Sequence, residues 1–272
     1  MDEHQHAARL ERWGQTPGSR VPDPEAAVPL IERLGLITHF PASPELPNLY
    51  HAYMGDPDAA MDSKHDSPAG HVYAWRWHLG RLRPGFYTAI VRKRPTWVHW
   101  DLLPAVLRLR GELRTPDELF DLGVISDAAY RIASTLESAG GVLSTGELRK
   151  AAGFPTGKEQ RAAYQKAVEE LDTRLMLTKE FSTEDDDMHH ALVMEHYRDY
   201  LGAADRLSFD GALDRLLTTY LPNAVYALPV PLARHLGIDE APLHSALDRL
   251  VEQGLAERHG EGKTARYVWT EA

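Results

Sequence analysis

The sequence predicts a mainly helical α+β chain with small β-hairpins, and three observations predict it. Capping signals followed by apolar residues at helical spacing recur along the chain. Glycine or proline closes most of those stretches. Short apolar runs then fall between them in one repeated order. The chain has 272 residues, 43% hydrophobic and 26% charged, which are ordinary globular values. It has no cysteine, so disulfides, thiolate zinc sites and cysteine nucleophiles are excluded. No apolar run reaches 18 residues, so no membrane span is expected. The N-terminus lacks the apolar stretch of a signal peptide, and a cytoplasmic location is the expectation.

Residues 1–24 read as a polar lead-in with a short helix around Ala7–Trp13. Pro24–Gly35 reads as a helix, because Ala27, Leu30, Ile31 and Leu34 follow i, i+3, i+4, i+7 and Gly35 can stop it. Leu36-Ile37 is a short strand. Pro41–Pro68 holds five prolines and reads mostly as loop, with helical turns near Leu49–Met54. His71–Leu79 resumes helical spacing and carries Tyr73, Trp75 and Trp77. Val98–Gly111 reads as a helix entered after Pro95.

From Thr115 the signals sharpen. Thr115-Pro116-Asp117-Glu118 is a capping box with proline at the first helical position, opening Pro116–Leu122. Ser126 caps Asp127–Ser138, and Gly140-Gly141 breaks it. A strand at Val142–Ser144 and a helix at Thr145–Ala152 follow. Thr156–Glu159 reads as a second capping box, opening a helix to about Leu175. Leu175–Phe181 and Ala191–Glu195 read as strands around an acidic turn. The last 65 residues repeat that order. Helices are expected at Phe209–Tyr220, at Pro231–Leu236 and after Asp239, with a strand at Val225–Leu228. Leu255–His259 and Thr264–Trp269 close as a hairpin around Gly260–Lys263. Helix, strand, helix, helix, hairpin is the order of a winged helix. Tandem winged helices are therefore expected at 126–204 and 205–272, with a degenerate third at 25–125.

The net charge is −10, but it is unevenly spread. Between His71 and Arg114 nine basic residues face two acids, a local balance of +7 that leaves −17 for the remainder. Such asymmetry points to a basic surface for an anionic partner. Arg76, Arg81, Arg83, Arg92, Lys93 and Arg94 are the candidate phosphate contacts there. The neighbouring Trp75, Trp77 and Trp97 read first as core and second as stacking platforms. In the middle recognition helix, Lys158, Arg161 and Lys166 join Gln160 and Gln165. In the last unit the wing offers Arg258, Lys263 and Arg266, beside a helix poor in positive charge.

The 14 histidines form no His-Glu-x-x-His motif. His189 and His190 adjoin Asp185–Asp187, but neighbours on a strand point to opposite faces. That stretch, and the loop group His65, Asp66 and His71, read as solvated surface. No metal or cofactor is expected, and no phosphate-binding glycine loop is present.

Tandem winged helices with Ile31-Glu32-Arg33-Leu34-Gly35-Leu36-Ile37 near the start resemble the AlkZ/YcaQ-type DNA glycosylases. The segment His71-Val72-Tyr73-Ala74-Trp75 also resembles that family's aromatic, histidine-bearing stretch. The resemblance spans residues 25–272. It implies three tandem winged helices, double-stranded DNA as partner and removal of alkylated bases. The family places a Gln-apolar-Gln or Gln-apolar-Asp motif after the Leu-Gly-apolar-apolar stretch. Here those positions hold Thr38, His39 and Phe40. Thr38 and His39 are thus the candidate catalytic residues by position, with Glu45 nearby, and none is the family's glutamine. The expected function is recognition of damaged or distorted duplex DNA with weak or no glycosylase activity. The alternative is a dimeric winged-helix transcriptional regulator reading a palindromic site.

Overall fold

A computed structural model describes residues 3–62, 64, 66–154, 156–183, 185 and 187–270, without the side chain of Lys263. His65 therefore lies outside the described residues. The chain is a mixed α and β protein in three successive stretches. The first holds α1 (Glu3–Arg12), α2 (Pro24–Leu34), β1 (Leu36–Thr38), α3 (Leu49–Met54), α4 (Pro68–Leu82), β2 (Phe86–Val91), β3 (Arg94–Val98) and α5 (Leu103–Arg110). The second holds α6 (Pro116–Asp121), α7 (Asp127–Ala139), β4 (Leu143–Ser144), α8 (Thr145–Ala151), α9 (Lys158–Thr173), β5 (Leu177–Phe181) and β6 (Met188–Leu192). Short helices α10 (Val193–His196) and α11 (Arg198–Arg206) lead to the third. It holds α12 (Phe209–Ala224), β7 (Tyr226–Ala227), α13 (Pro229–Leu236), α14 (Glu240–Glu252), β8 (Ala256–His259) and β9 (Arg266–Trp269).

Each stretch contributes one three-stranded antiparallel sheet, ordered β1-β3-β2, β4-β6-β5 and β7-β9-β8. In all three the last-formed strand is central, so each hairpin zips onto a strand laid down two helices earlier. Helix starts follow their caps. Asp23 accepts from the Ala26 amide, and Thr115–Glu118 and Ser144–Glu147 form reciprocal capping boxes.

Several expectations are corrected. Val98–Gly111 is not one helix: Arg94–Val98 is a strand, and α5 starts at Leu103. Pro95 lacks an amide donor yet lies in the central strand, because the β2–β3 pairing slips between Thr88 and Val91 and leaves a bulge there. The Thr156 capping box does not form. Gly157, at φ 148°, is the N-cap of α9 and no side chain caps that end. The strand expected at Ala191–Glu195 is β6 at Met188–Leu192, held by pairing from Leu177↔Leu192 to Phe181↔Met188; Val193 then begins a helix. Asp239 stands at the N-cap of α14 but makes no cap hydrogen bond. A 3-10 turn, Gly262–Thr264, sits within the last hairpin.

The core has two parts. One joins the first and third stretches, running from Trp13, Ile31, Trp97 and Leu107 to Leu213, Leu217, Leu247 and Tyr267. The other belongs to the second stretch, with Leu119, Ile132, Leu148, Phe154, Leu171 and Leu192. Arg9 ties the ends together. It is buried, donates to the Ala224 and Tyr226 carbonyls, and pairs with buried Glu45 at 3.5 Å. No helix among the described residues is long and apolar enough to cross a membrane.

Candidate nucleic-acid interface

Helix α9 is amphipathic by spacing. Tyr164, Ala167 and Leu171 are buried against the second core, three and four residues apart. Lys158, Gln160, Arg161, Gln165 and Lys166 consequently face outward and are exposed. The side chains of Lys158, Arg161 and Lys166 make no hydrogen bond or ion pair among the described residues. Their charges are available to a ligand.

The β2–β3 turn meets the same helix. Arg92 and Lys93 form the turn at φ 48° and 60°, left-handed values that glycine or asparagine adopts more easily. Both side chains and that of Arg94 project into solvent. Lys93 pairs with Glu169 of α9. Arg92 donates to the Ala42 carbonyl at 3.0 Å, and the Arg94 side chain has no partner among the described residues. The turn and the C-terminal half of α9, more than 70 residues apart in sequence, are thereby in contact. A pair this exposed contributes at most about 1 kcal/mol, so Lys93 can exchange Glu169 for a phosphate cheaply.

The other candidate cations lie elsewhere. Arg81 donates to the carbonyls of Ser182 (2.9 Å) and Asp185 (3.2 Å), and Arg83 to the Tyr197 hydroxyl (3.4 Å). Arg81 therefore bridges the first stretch to the second, and Arg83 ties the first stretch to the junction of α10 and α11. Arg76 lies over the Tyr73 ring. Arg258 pairs with Asp248 at 3.3 Å, and Arg266 is half-buried over Tyr226. The side chain of Lys263 is outside the described residues. Among the described histidines, aspartates and glutamates no group of three is placed to hold a metal.

Thr38 and His39 are buried and saturated. Thr38 Oγ1 lies 2.8 Å from the Phe40 carbonyl and 3.1 Å from that of Pro47. His39 Nε2 donates to the Val72 carbonyl at 2.6 Å, and Nδ1 accepts from the Trp97 indole at 3.3 Å. The first contact requires the proton on Nε2, so no lone pair of the ring is left for a general base. Burial pushes its pKa down to about 4, keeping the ring neutral near pH 7. Glu45 faces Arg9 and the third stretch; burial raises its pKa against the pull of that arginine.

Phe40 alone of Thr38, His39 and Phe40 lines a cavity of about 620 Å³. The facing wall is α4, through Tyr73, Arg76 and Trp77. Sequence reading did not find this cavity. Its one signal was the spacing i, i+3, i+4 of those residues, which puts them on one helix face. Trp75 and Trp97 are core, as expected, whereas Trp77 is half-buried. Trp77 packs edge-on against Phe181 of β5, whose ring also meets Tyr87 and Trp97.

No curated protein and no solved structure matches this chain. A family model does: the one described as AlkZ related matches residues 21–197, more than half of the sequence, and covers α2 through β6, with both the basic turn and α9. On that match the chain belongs to the AlkZ-related family.

Proposed function

We propose that this chain binds duplex DNA through the face made by α9 and the β2–β3 turn, recognising damaged or distorted duplex with little or no base release. The three stretches act as winged helices at 25–125, 126–204 and 205–272, each built as helix, strand, helix, helix, hairpin. The observation that carries the reading is the unpaired side-chain set Lys158, Arg161 and Lys166 on the helix that the Arg92–Arg94 turn touches at Glu169. The middle unit then presents its second helix of the helix-turn-helix pair to the major groove, and the turn follows the backbone. Family membership supports DNA as the partner. The burial and saturation of Thr38 and His39 argue against their positioning a water at a sugar carbon.

The test is a titration against undamaged, alkylated and abasic duplexes at two salt concentrations, with base release followed in the same samples. Each phosphate contact contributes about −0.9 to the slope of log K against log salt. Replacing Lys158, Arg161 and Lys166 together by alanine should flatten that slope by about 2–3. Unchanged binding in that variant refutes the interface. Base release by the parent that is lost in His39→Ala or Thr38→Ala refutes the quiet-site reading while leaving the interface standing.

A further inference from the structure

Away from α9 and from the aromatic cavity, the loop after β1 meets the last turn of α13. The Ser43 hydroxyl lies 2.6 Å from Nδ1 of His235, a bond that joins the first stretch to the third. The Glu45 amide donates to the same hydroxyl oxygen at 3.0 Å and so fixes the Ser43 side chain. If Ser43 donates its proton to Nδ1, the neutral ring carries its own on Nε2; if Nδ1 donates, the hydroxyl proton is free. In both arrangements one donor of the pair is left for a ligand. Arg92 reaches the adjacent residue, donating through Nη1 to the Ala42 carbonyl at 3.0 Å. Its other N–H groups have no acceptor among the described residues. Arg234, beside His235 on α13, is exposed, and its side chain has no partner among the described residues. Burial and the charges of Arg92 and Arg234 push the His235 pKa down, so the ring sits in a positive field. Glu45, the carboxylate nearest to Ser43 in sequence, is buried and turned to Arg9. The dipole of α13 favours cations in its last turn, which accounts for Arg234. It does not account for Arg92, which comes from the first stretch and holds φ 48°, a value costly for arginine.

We propose that Arg92, Arg234 and the Ser43–His235 pair bind a terminal phosphate, one that keeps at least three unesterified oxygens. The two guanidinium forks supply charge and paired donors, the geometry that suits phosphate oxygens. The Ser43–His235 pair supplies one further hydrogen bond, and Ser43 is the positioning residue that holds the ring. A terminal phosphate carries a charge of about −1.5 to −2 near pH 7. A phosphate inside a strand carries a single charge and shows two unesterified oxygens. Two cations and a third donor therefore match the terminal group more fully. Two sources supply it: free inorganic phosphate, or the phosphorylated 5′ end of a duplex. The second source rests on the DNA reading above; the first does not.

The experiment is calorimetric titration of the full chain with inorganic phosphate at fixed ionic strength, and with two duplexes that differ only in a 5′-phosphate or a 5′-hydroxyl. Phosphate should bind, and Arg234→Glu should weaken it by about tenfold or more. That side chain is exposed and unbonded, so the variant should keep the parent's urea midpoint. Ser43→Ala should weaken phosphate several-fold, and Ser43→Thr, which keeps the hydroxyl, should restore it. Phosphate binding with this pattern assigns the free source. Absent phosphate binding, a preference for the 5′-phosphorylated duplex that Arg234→Glu removes assigns the strand end. If neither response is seen, or if Arg234→Glu or Ser43→Ala matches the parent, the proposal falls. The Lys158, Arg161 and Lys166 variant should keep its phosphate binding, and should lose duplex affinity without losing the preference for the phosphorylated end. Failure of the DNA interface and failure of this site are thus separately visible.

Discussion

Gly80, in the last turns of α4, packs against Phe181 of β5 where the first stretch meets the second. A Cβ at this position would stand 2.1, 2.2 and 2.6 Å from ring carbons of Phe181. In an open helix Gly→Ala stabilises by about 1 kcal/mol. Here the methyl enters only if the Phe181 ring leaves. That ring meets Trp77 and Tyr87 edge-on, with centroids at 5.6 and 5.5 Å, and lies 6.3 Å from Trp97. Each such contact is worth about 0.5–1.5 kcal/mol beyond area burial. Losing the set outweighs the helix gain, and Gly80→Ala should destabilise by about 1–3 kcal/mol. Urea unfolding followed by tryptophan fluorescence measures it. In a Phe181→Ala background the space is open, and the same Gly80→Ala change should stabilise by about 1 kcal/mol. A single Gly80→Ala variant as stable as the parent, or a double variant without the change of sign, would refute this account of the junction.

Two further outcomes are expected. His39 and His190 are both buried with pKa values pushed down to about 4, chiefly by burial, against 6.5 in the unfolded chain. Above pH 6.5 neither state takes a proton at these rings; between 6.5 and 4 only the unfolded state does. Stability should therefore fall with acidification across that window, by up to about 1.4 kcal/mol per pH unit for each ring, and a flat unfolding profile there would contradict the neutral assignment. The turn gives a different separation. Arg92→Asn with Lys93→Gly supplies residues suited to positive φ and should raise the urea midpoint, while weakening duplex binding and its salt dependence. Loss of stability in that variant would contradict the turn geometry, and unchanged binding would remove the turn from the interface.

Much of the second and third stretches was legible, because their signals are local. Thr115–Glu118 and Asp127–Ala139 follow from caps a few residues away. The hairpin of the first stretch was not. Its turn is Arg92-Lys93, with no glycine or asparagine to mark it, and Pro95 reads as a helix entry unless the bulge that admits it is known. The candidate site was legible in composition but not in arrangement. Lys158, Arg161 and Lys166 could be read as one outward helix face. The ion pair from Lys93 to Glu169 could not, because it depends on how the β2–β3 hairpin packs against α9. Burial decided the rest: Thr38 and His39 align with a reactive position in sequence, yet backbone carbonyls and the Trp97 indole occupy their polar atoms.

The core shared by the first and third stretches bears on how the chain assembles. Gly35, closing α2, would place a Cβ 2.6 Å from Thr219 of α12, so the two helices are in direct contact across more than 180 residues of sequence. The second stretch, with its own apolar cluster, sits between them as an insertion and can order from nearby contacts. Joining the ends requires closing a long loop, an entropic cost that grows slowly with length but delays the contacts that repay it. Synthesis therefore exposes the α2 and α5 faces until α12 emerges, and a fragment ending near residue 197 would keep those faces uncovered. The α12 helix acts as a late keystone, and the interval before its arrival is when the chain is most open to aggregation.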